Sequence, residues 1–377
     1  MPTPLGRGIA AASVVLYALG WWLGYPEPAM LAVAGLLAVV AALLWTLPAP
    51  RLEIRREIAP RKVARGEPAA GVLHVVNAGR GLRGGLVAHD AAGPETVAVR
   101  VPRLRAGGRR TVSYRLPTGR RGEIAVGPLR LVRADPLGLA RRVRAYGAPQ
   151  TLLVRPRTVA LSVLPSGRAH HLEGPTSDRS PAGTATFHAL REYVIGDELR
   201  HIHWKSSART GTLMVRRLVD ASLPTTTVLL EARPDAWRDP DDFELAVDAA
   251  ASVAVAAARA SFPVRVLTGT GEVAATRGGP EDAEVLLDRL TRVGREPGPA
   301  SLLDALRRVR PGGSLVVILQ DGAESGRVAA VRARFDRVVV VRVRPDGPAP
   351  APPGVPVAEI ADLEELAAAW PLLGRGR

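Results

Sequence analysis

The densest run of chemically active side chains lies in residues 187–217, FHALREYVIGDELRHIHWKSSARTGTLMVRR. Acids and bases packed this closely predict an interlocked network of ion pairs and hydrogen bonds, or a partner-binding surface. We expect Trp204 to be the apolar anchor of the network, and Gly196 with Asp197 to supply a turn. Its other predicted members are Arg191, Glu192, Tyr193, Arg200, His203, Lys205 and Arg209.

The same stretch permits a second interpretation, a hydrolase-type active site. His201 and His203 are two residues apart, which places both on one face of a strand, and a neighbouring Asp197 would orient an imidazole as a general base. No HExxH spacing occurs, no serine lies in a nucleophile elbow, and the chain has no cysteine. No phosphate-binding glycine loop occurs either, so no cofactor is predicted. The structural or partner-binding interpretation is favoured, and catalysis stays open.

Two apolar runs at the N-terminus set the context for this segment. Residues 8–24 and 29–47 contain no charged side chain, and each is long enough to span a hydrocarbon core. The link between them, Tyr25-Pro26-Glu27-Pro28, predicts a tight helical hairpin. A cleaved signal peptide is the competing interpretation, but its basic region would be Arg7 alone.

The basic residues around the hairpin predict its orientation. The link has no Lys or Arg, whereas Arg51, Arg55, Arg56, Arg61 and Lys62 follow the second run directly. Positive flanks face the cytoplasm. We therefore predict a two-pass protein of the cell membrane with both termini in the cytoplasm.

Residues 51–160 read as an antiparallel β-sandwich, because short alternating runs such as AGVLHVVN and ETVAVRV are separated by turn residues. Residues 51–150 hold 21 basic and 7 acidic side chains, a net charge of +14. The whole chain has a net charge of +15. An anionic membrane surface is the predicted partner of this domain. Nucleic acid is not a predicted partner. Stacking of bases requires aromatic side chains among the arginines, and Tyr114 and Tyr146 are the only aromatic residues in that range.

Two short motifs in this domain have turn chemistry. The first combines Arg120-Arg121-Gly122-Glu123 with Gly127-Pro128, and the second is Asp135-Pro136-Leu137-Gly138-Leu139. Glycine and proline fix backbone turns, and an Asp before Pro caps a nearby N–H. We interpret both motifs as architectural.

From residue 223 to 377, β-branched apolar runs alternate with amphipathic helical patterns. This alternation predicts an α/β domain with a largely parallel sheet and helices on both faces. The whole chain is therefore predicted to be multidomain: two transmembrane helices (1–50), the sandwich (51–160), a linking signature segment (161–222) and the α/β domain (223–377).

The residues of this signature resemble the sequence motif of the DUF58 family. Its members are bacterial membrane-anchored proteins of unknown biochemical function. The resemblance is carried by Arg191-Glu192-Tyr193, Gly196-Asp197, Arg200, Ile202, Trp204-Lys205 and Ala208-Arg209, and by the upstream RRGE, GP and DPLGL elements. One departure is His203, at a position often acidic in the family.

The resemblance implies that the C-terminal domain is von Willebrand factor A-like. Such domains bind a divalent cation after their first strand through an Asp-x-Ser-x-Ser pattern. Here that place reads Glu231-Ala232-Arg233-Pro234-Asp235, so the hydroxyls are missing and Arg233 supplies a cation itself. We expect a degenerate site without metal. Asp321 matches a position where some of these domains keep an acid, but alone it is weak evidence for a metal site.

A non-enzymatic scaffold is the favoured function. The resemblance implies a MoxR-type AAA+ ATPase as the partner, and a transglutaminase-like membrane protein as a second one. The alternative is the hydrolase that uses His201 or His203 with Asp197.

Overall fold

The structure is a computed structural model of the 377-residue chain. It describes residues 1–47, 52–79, 86–164, 185–194, 202–220, 223–299, 301–320, 322–345, 347 and 350–375. The chain divides into two units, Met1–Pro156 and Arg157–Arg377. Two apolar N-terminal helices and several sheets make the fold multidomain.

The N-terminal helices are α1 (Pro4–Leu23) and α2 (Pro26–Thr46). Both are long and apolar enough to cross a membrane. Proline near each start has its φ preset for a helix, and Gly24 ends α1 in the left-handed conformation at φ 73°. The first helix starts earlier than predicted, because Thr3 caps it by accepting a hydrogen bond from the Gly6 N–H.

Two sheets follow. The first contains β1 (Leu52–Ala59), β3 (Ala69–Asn77) and β6 (Arg109–Leu116), all antiparallel in the order β1-β3-β6. The second has the order β2-β9-β7-β4-β5, and β8 also pairs with β7. Its strands are β2 (Lys62–Ala64), β4 (Leu86–Ala92), β5 (Glu95–Val101), β7 (Gly122–Ala134), β8 (Arg141–Tyr146) and β9 (Gln150–Arg155).

Apolar residues from both sheets share one core. Leu73 and Val75 of β3 pack with Ala88 of β4 and with Leu129 and Leu131 of β7, and all five are almost fully buried. Alternate positions of β3 are buried, as the period of a strand requires. The sandwich departs from the prediction in one pair, since β2 and β9 run parallel.

A buried ion pair joins the two sheets. Arg56 of β1 places Nη1 2.8 Å from Oδ1 of Asp90 on β4, and its Nη2 donates to the Ala148 carbonyl at 2.7 Å. The Tyr114 hydroxyl donates to the other oxygen of Asp90. Arg56 is one of the basic residues from which the orientation of the hairpin was predicted. It is buried, because the Asp90 carboxylate compensates its charge inside the protein.

Gly127 of the first motif lies against this ion pair. Its φ is 93°, and a Cβ there would collide with the guanidinium of Arg56. Only glycine combines a positive φ with so close an approach. This residue of the motif therefore shapes the space that the buried charge occupies.

The second motif forms the turn between β7 and β8. The Asp135 carboxylate accepts hydrogen bonds from the N–H groups of Leu137 (2.9 Å) and Ala140 (2.5 Å). On the helix side, Thr3 donates its N–H to the Leu139 carbonyl at 2.9 Å and its hydroxyl to the Gly138 carbonyl at 2.7 Å. The motif thus fixes the sandwich to the first turn of α1.

The C-terminal unit contains two separate sheets. A hairpin pairs β10 (Ala185–Glu192) with β11 (Met214–Asp220), and the short helix α3 (Trp204–Thr210) lies between them in sequence. The large sheet has the order β14-β13-β12-β15-β16-β17 and is parallel except for the β13–β14 pair. Its strands are β12 (Thr226–Leu230), β13 (Val264–Thr268), β14 (Gly271–Thr276), β15 (Ser314–Leu319), β16 (Arg337–Val343) and β17 (Val357–Ile360).

Helices cover both faces of the large sheet. The helices α4 (Pro240–Arg259), α5 (Pro280–Thr291) and α7 (Leu363–Arg375) share one apolar cluster with it. The other face packs against 3-10 helices, Leu302–Arg308 and Val328–Arg334, where ordinary helices were predicted. A short α6 (Gly322–Arg327) precedes the second of them.

Residues 157–164 are held by this unit. The Arg157 N–H and guanidinium bind the buried carboxylate of Asp248 on α4, and the Trp370 indole N–H of α7 donates to the Ser162 carbonyl at 2.7 Å. Polar pairing and the burial of Leu164 therefore fix this segment to the helices of the α/β fold.

Candidate functional site

The signature segment is built on the β10–β11 hairpin. Arg191 lies on β10 opposite Val215 of β11, and the Tyr193 N–H donates to the Leu213 carbonyl at 2.8 Å. A bridge between Ile202 and Val215 ties the chain ahead of α3 to the same strand. Gly196, Asp197, Arg200 and His201 lie outside the described residues.

His203 caps α3. Its Nδ1 accepts a hydrogen bond from the Ser206 N–H at 3.3 Å and lies 2.7 Å from the Ser206 hydroxyl oxygen. The His203 N–H donates to the Met214 carbonyl at 2.8 Å, and the Ser207 hydroxyl accepts the Met214 N–H at the same distance. The Nδ1 atom of His203 therefore caps the first turn of α3, while its backbone N–H and the Ser207 hydroxyl hold the helix start against β11.

Trp204 was predicted to be the packed apolar anchor of the network. In the structure it is not packed. Its side chain is 66% exposed, because it occupies the first position of α3 and the helix buries Ser207 instead. Val194 is 63% exposed and Leu213 42%. The Tyr193 N–H bonds to the Leu213 carbonyl and the His203 N–H to the Met214 carbonyl, so the backbone next to Val194 and Trp204 is held at the start of β11.

Basic side chains accompany the exposed tryptophan. Lys205 and Arg209 of α3 are both exposed, as is Ala208 between them, and Glu192 is exposed at the end of β10. Tryptophan and arginine are enriched at protein–protein interfaces relative to the rest of a protein surface. We call Val194, Trp204, Lys205, Arg209 and Leu213 the signature surface.

A second polar cluster lies at the carboxyl ends of β12 and β15, where the strand order of the large sheet reverses. In open parallel sheets this is the usual place for ligands. The buried Glu231 carboxylate accepts the N–H groups of Ala232 and Arg233, each at 2.9 Å, and pairs with the Arg233 guanidinium at 3.0 Å. Hydrogen bonding to Glu231 raises the pKa of Arg233 further above its usual value.

Neighbouring residues at this edge were missed by sequence reasoning. The Gln320 side chain donates to Asp242 at 2.8 Å and accepts the Arg238 N–H at 2.8 Å, and Arg344 pairs with Asp242 at 3.1 Å. These residues are far apart in sequence, so no local spacing indicated them. Asp235 is exposed, and Asp321 lies outside the described residues.

The cluster has the polarity of a satisfied ion-pair network. Within the described ranges, no group of three or more His, Asp or Glu side chains has metal-binding geometry. The Glu231 carboxylate accepts hydrogen bonds from backbone N–H groups and from the Arg233 guanidinium.

Comparison with known proteins matches part of the chain to one family. Residues 189–365 match the model described as "Protein of unknown function DUF58". This match supports the DUF58 family, and the matched region runs from the end of β10 into α7. No curated protein matches the chain.

Two solved structures are similar at low level. One is the CARDB domain of a Pyrococcus furiosus protein in complex with di-metal ions, with 14% identity, 29% of this chain and 91% of that chain covered, and a TM-score of 0.21. The other is the Pseudomonas fluorescens alkylpurine DNA glycosylase AlkC bound to DNA containing an abasic site analog, with 15% identity, 36% and 42% covered, and a TM-score of 0.19. TM-scores this low carry no argument about function.

Proposed function

We propose that this chain is a membrane-anchored scaffold that recruits a partner protein through the signature surface. The helices α1 and α2 anchor it as a two-pass protein of the cell membrane with both termini in the cytoplasm. The C-terminal unit, a von Willebrand factor A-like domain, presents the surface to soluble partners. This proposal assigns no chemical step to His201, His203 or Asp197.

The observation that carries the proposal is the exposure of Trp204 inside the family signature. A tryptophan left in water loses the burial that its large apolar surface favours. Tryptophan and arginine are also the residues that most often dominate binding energies at protein interfaces. With two further exposed apolar side chains in the same segment, Val194 and Leu213, Trp204 is suited to be the anchor of an interface.

The proposed partner is a MoxR-type AAA+ ATPase, and a transglutaminase-like membrane protein is a second member of the assembly. Both come from the family resemblance. The cations of Lys205 and Arg209 favour a partner of complementary charge. We expect that partner to have an apolar pocket that receives Trp204 and an acidic rim around it.

The α/β unit supports a metal-independent mode of binding. The guanidinium of Arg233 pairs with Glu231 at the sheet edge where a von Willebrand factor A-like domain would hold its cation. We therefore propose that partner binding by this chain does not respond to chelators.

The test is chemical crosslinking in native membranes followed by affinity purification of the chain. We expect the native chain to recover the ATPase, and Trp204→Ala to reduce the recovery at least about tenfold. Leu372→Ala is the matched control, since Leu372 is 68% exposed on α7 and outside the signature surface.

Two outcomes would overturn parts of the proposal, and one control guards against misfolding. If the native chain recovers no AAA+ ATPase, the named partner is wrong. If Trp204→Ala and Leu372→Ala reduce recovery equally, the signature surface is not the interface. A normal melting temperature of Trp204→Ala is required, and is expected because the side chain is mostly exposed.

A further inference from the structure

The turn between β7 and β8, residues 135–140, packs against both N-terminal helices. Leu139 and Ala140 are almost fully buried against Val39 and Ala42 of α2, with Ile9 of α1 beside them. At a rise of 1.5 Å per residue, these contacts lie about 6–10 Å inside the start of α1 and the end of α2. Each helix is about 30 Å long, the thickness of a hydrocarbon core, so the turn reaches past the boundary between headgroups and acyl chains.

The polar backbone of the turn has partners within the protein. The Asp135 carboxylate takes the N–H groups of Leu137 and Ala140, and the Asp135 carbonyl takes that of Gly138. Thr3 binds the carbonyls of Gly138 and Leu139. Irregular backbone enters a water-poor region at low cost only when its N–H and C=O groups are satisfied in this way.

Two kinds of side chain project from the hairpin. Leu137 at the tip is 66% exposed, and Val143 on β8 is 50% exposed. Arg141, Arg142 and Arg144 of β8 are exposed as well. The Arg142 guanidinium donates to the Leu47 carbonyl at the end of α2 at 2.7 Å, which sets β8 at the level where that helix ends.

We propose that the β7–β8 hairpin is a lipid-binding element. Leu137 enters the acyl-chain boundary, and Arg141 with Arg144 binds the phosphates of anionic phospholipids. This inference rests on the membrane anchoring given under the proposed function. Arginine suits the role because its planar guanidinium binds phosphate oxygens in pairs, and an apolar tip beside cations is the pattern of interfacial anchors.

The absence of cysteine from the chain allows a direct measurement of depth. A spin label is attached to Leu137→Cys in the full chain, reconstituted in nanodiscs of phosphatidylglycerol and phosphatidylcholine. Its collisions with oxygen, which concentrates in lipid, are compared with those with a water-soluble nickel complex. Leu37→Cys, exposed in the middle of α2, is the lipid reference, and Thr96→Cys, exposed at the opposite end of the same sheet, is the water reference.

We expect the Leu137 label to favour oxygen as the Leu37 label does. A label that behaves like the one at Thr96 overturns the inference. A label inaccessible to both reagents overturns it as well, because a protein surface then covers the turn. If the Leu37 label itself is in water, the membrane anchoring fails; if only the Leu137 label is in water, the lipid-binding hairpin alone fails.

The arginines are tested with a photoactivatable phosphatidylglycerol in the same nanodiscs. Arg141→Gln with Arg144→Gln is expected to reduce crosslinking at least fivefold, since one such charge near an anionic surface is worth about that factor. The control pair Arg115→Gln and Arg120→Gln removes two exposed charges elsewhere in the sandwich. Equal crosslinking by the two double variants would overturn the assignment of phosphate binding.

Discussion

Arg56 and Asp90 form an ion pair between the two sheets of the sandwich, with 2.8 Å between Nη1 and Oδ1 and both side chains buried. Arg56 belongs by sequence to the basic run that follows the second apolar helix, together with Arg55, Arg61 and Lys62, which are exposed. Basic residues near the helices therefore have two different roles, and Arg56 holds the sheets together.

Asp90→Asn is expected to destabilise the sandwich by about 3–5 kcal/mol, because it leaves the guanidinium of Arg56 buried without a counter-charge. The effect is measured by thermal unfolding of the detergent-solubilised full chain, with proteolysis of the sandwich as the readout. Glu57→Gln, an exposed acid on the same β1, is the control and should change the stability by less than about 0.5 kcal/mol. Equal melting of the two variants would contradict a stabilising role for the pair.

Gly6→Ala is expected to detach the 135–140 turn from α1. A Cβ at position 6 would collide with the Leu139 carbonyl oxygen, whereas a Cβ at Gly8 meets nothing within 4 Å. Hydrogen exchange of the Leu137 and Ala140 amides should accelerate about tenfold or more in Gly6→Ala, for a loss of at least 1.4 kcal/mol of local stability. Unchanged exchange, or equal acceleration in Gly8→Ala, would show that the close contact is not what holds the turn.

The sandwich is expected to lose stability above pH 10. Burial and the hydrogen bond to Asp90 raise the pKa of Tyr114 well above its usual value of 10.0. The unfolded phenol then releases its proton at a lower pH than the folded one, so the contribution of Tyr114 is complete below pH 10 and falls as the pH rises. Melting curves between pH 8 and pH 11 should show this slope, and Tyr114→Phe should reduce it. Burial also raises the pKa of Tyr146, so Tyr114→Phe with Tyr146→Phe should remove it. An unchanged slope in Tyr114→Phe would assign the loss to another group.

Glu231→Gln is expected to destabilise the C-terminal unit by about 1–3 kcal/mol. The substitution removes the charge that pairs with Arg233 and weakens the hydrogen bonds to the Ala232 and Arg233 N–H groups. Asp235→Asn is the control, because Asp235 is exposed. The unfolding midpoint of the full chain in detergent measures both, and it should fall in Glu231→Gln only.

Several large elements follow from local patterns in the sequence. The two uncharged runs predict α1 and α2, and the alternating run at Ala69–Asn77 predicts β3, because a strand with one buried face repeats every second residue. The apolar β-branched runs of β15 and β16 likewise predict buried parallel strands. The strand β8 escaped prediction because it is exposed on both faces and has no apolar alternation.

The sequence alone determined the apolar hairpin, the order of β and α/β regions, and the resemblance to the DUF58 family, because these depend on periodicity and on a contiguous motif. The tertiary structure decided which individual charges and aromatics are buried. Arg56 is buried through a carboxylate 34 residues away, and Trp204 is exposed because α3 turns another face inward. The 135–140 turn contacts a helix that begins more than a hundred residues earlier. Such contacts are set by the packing of distant elements, which no local spacing encodes.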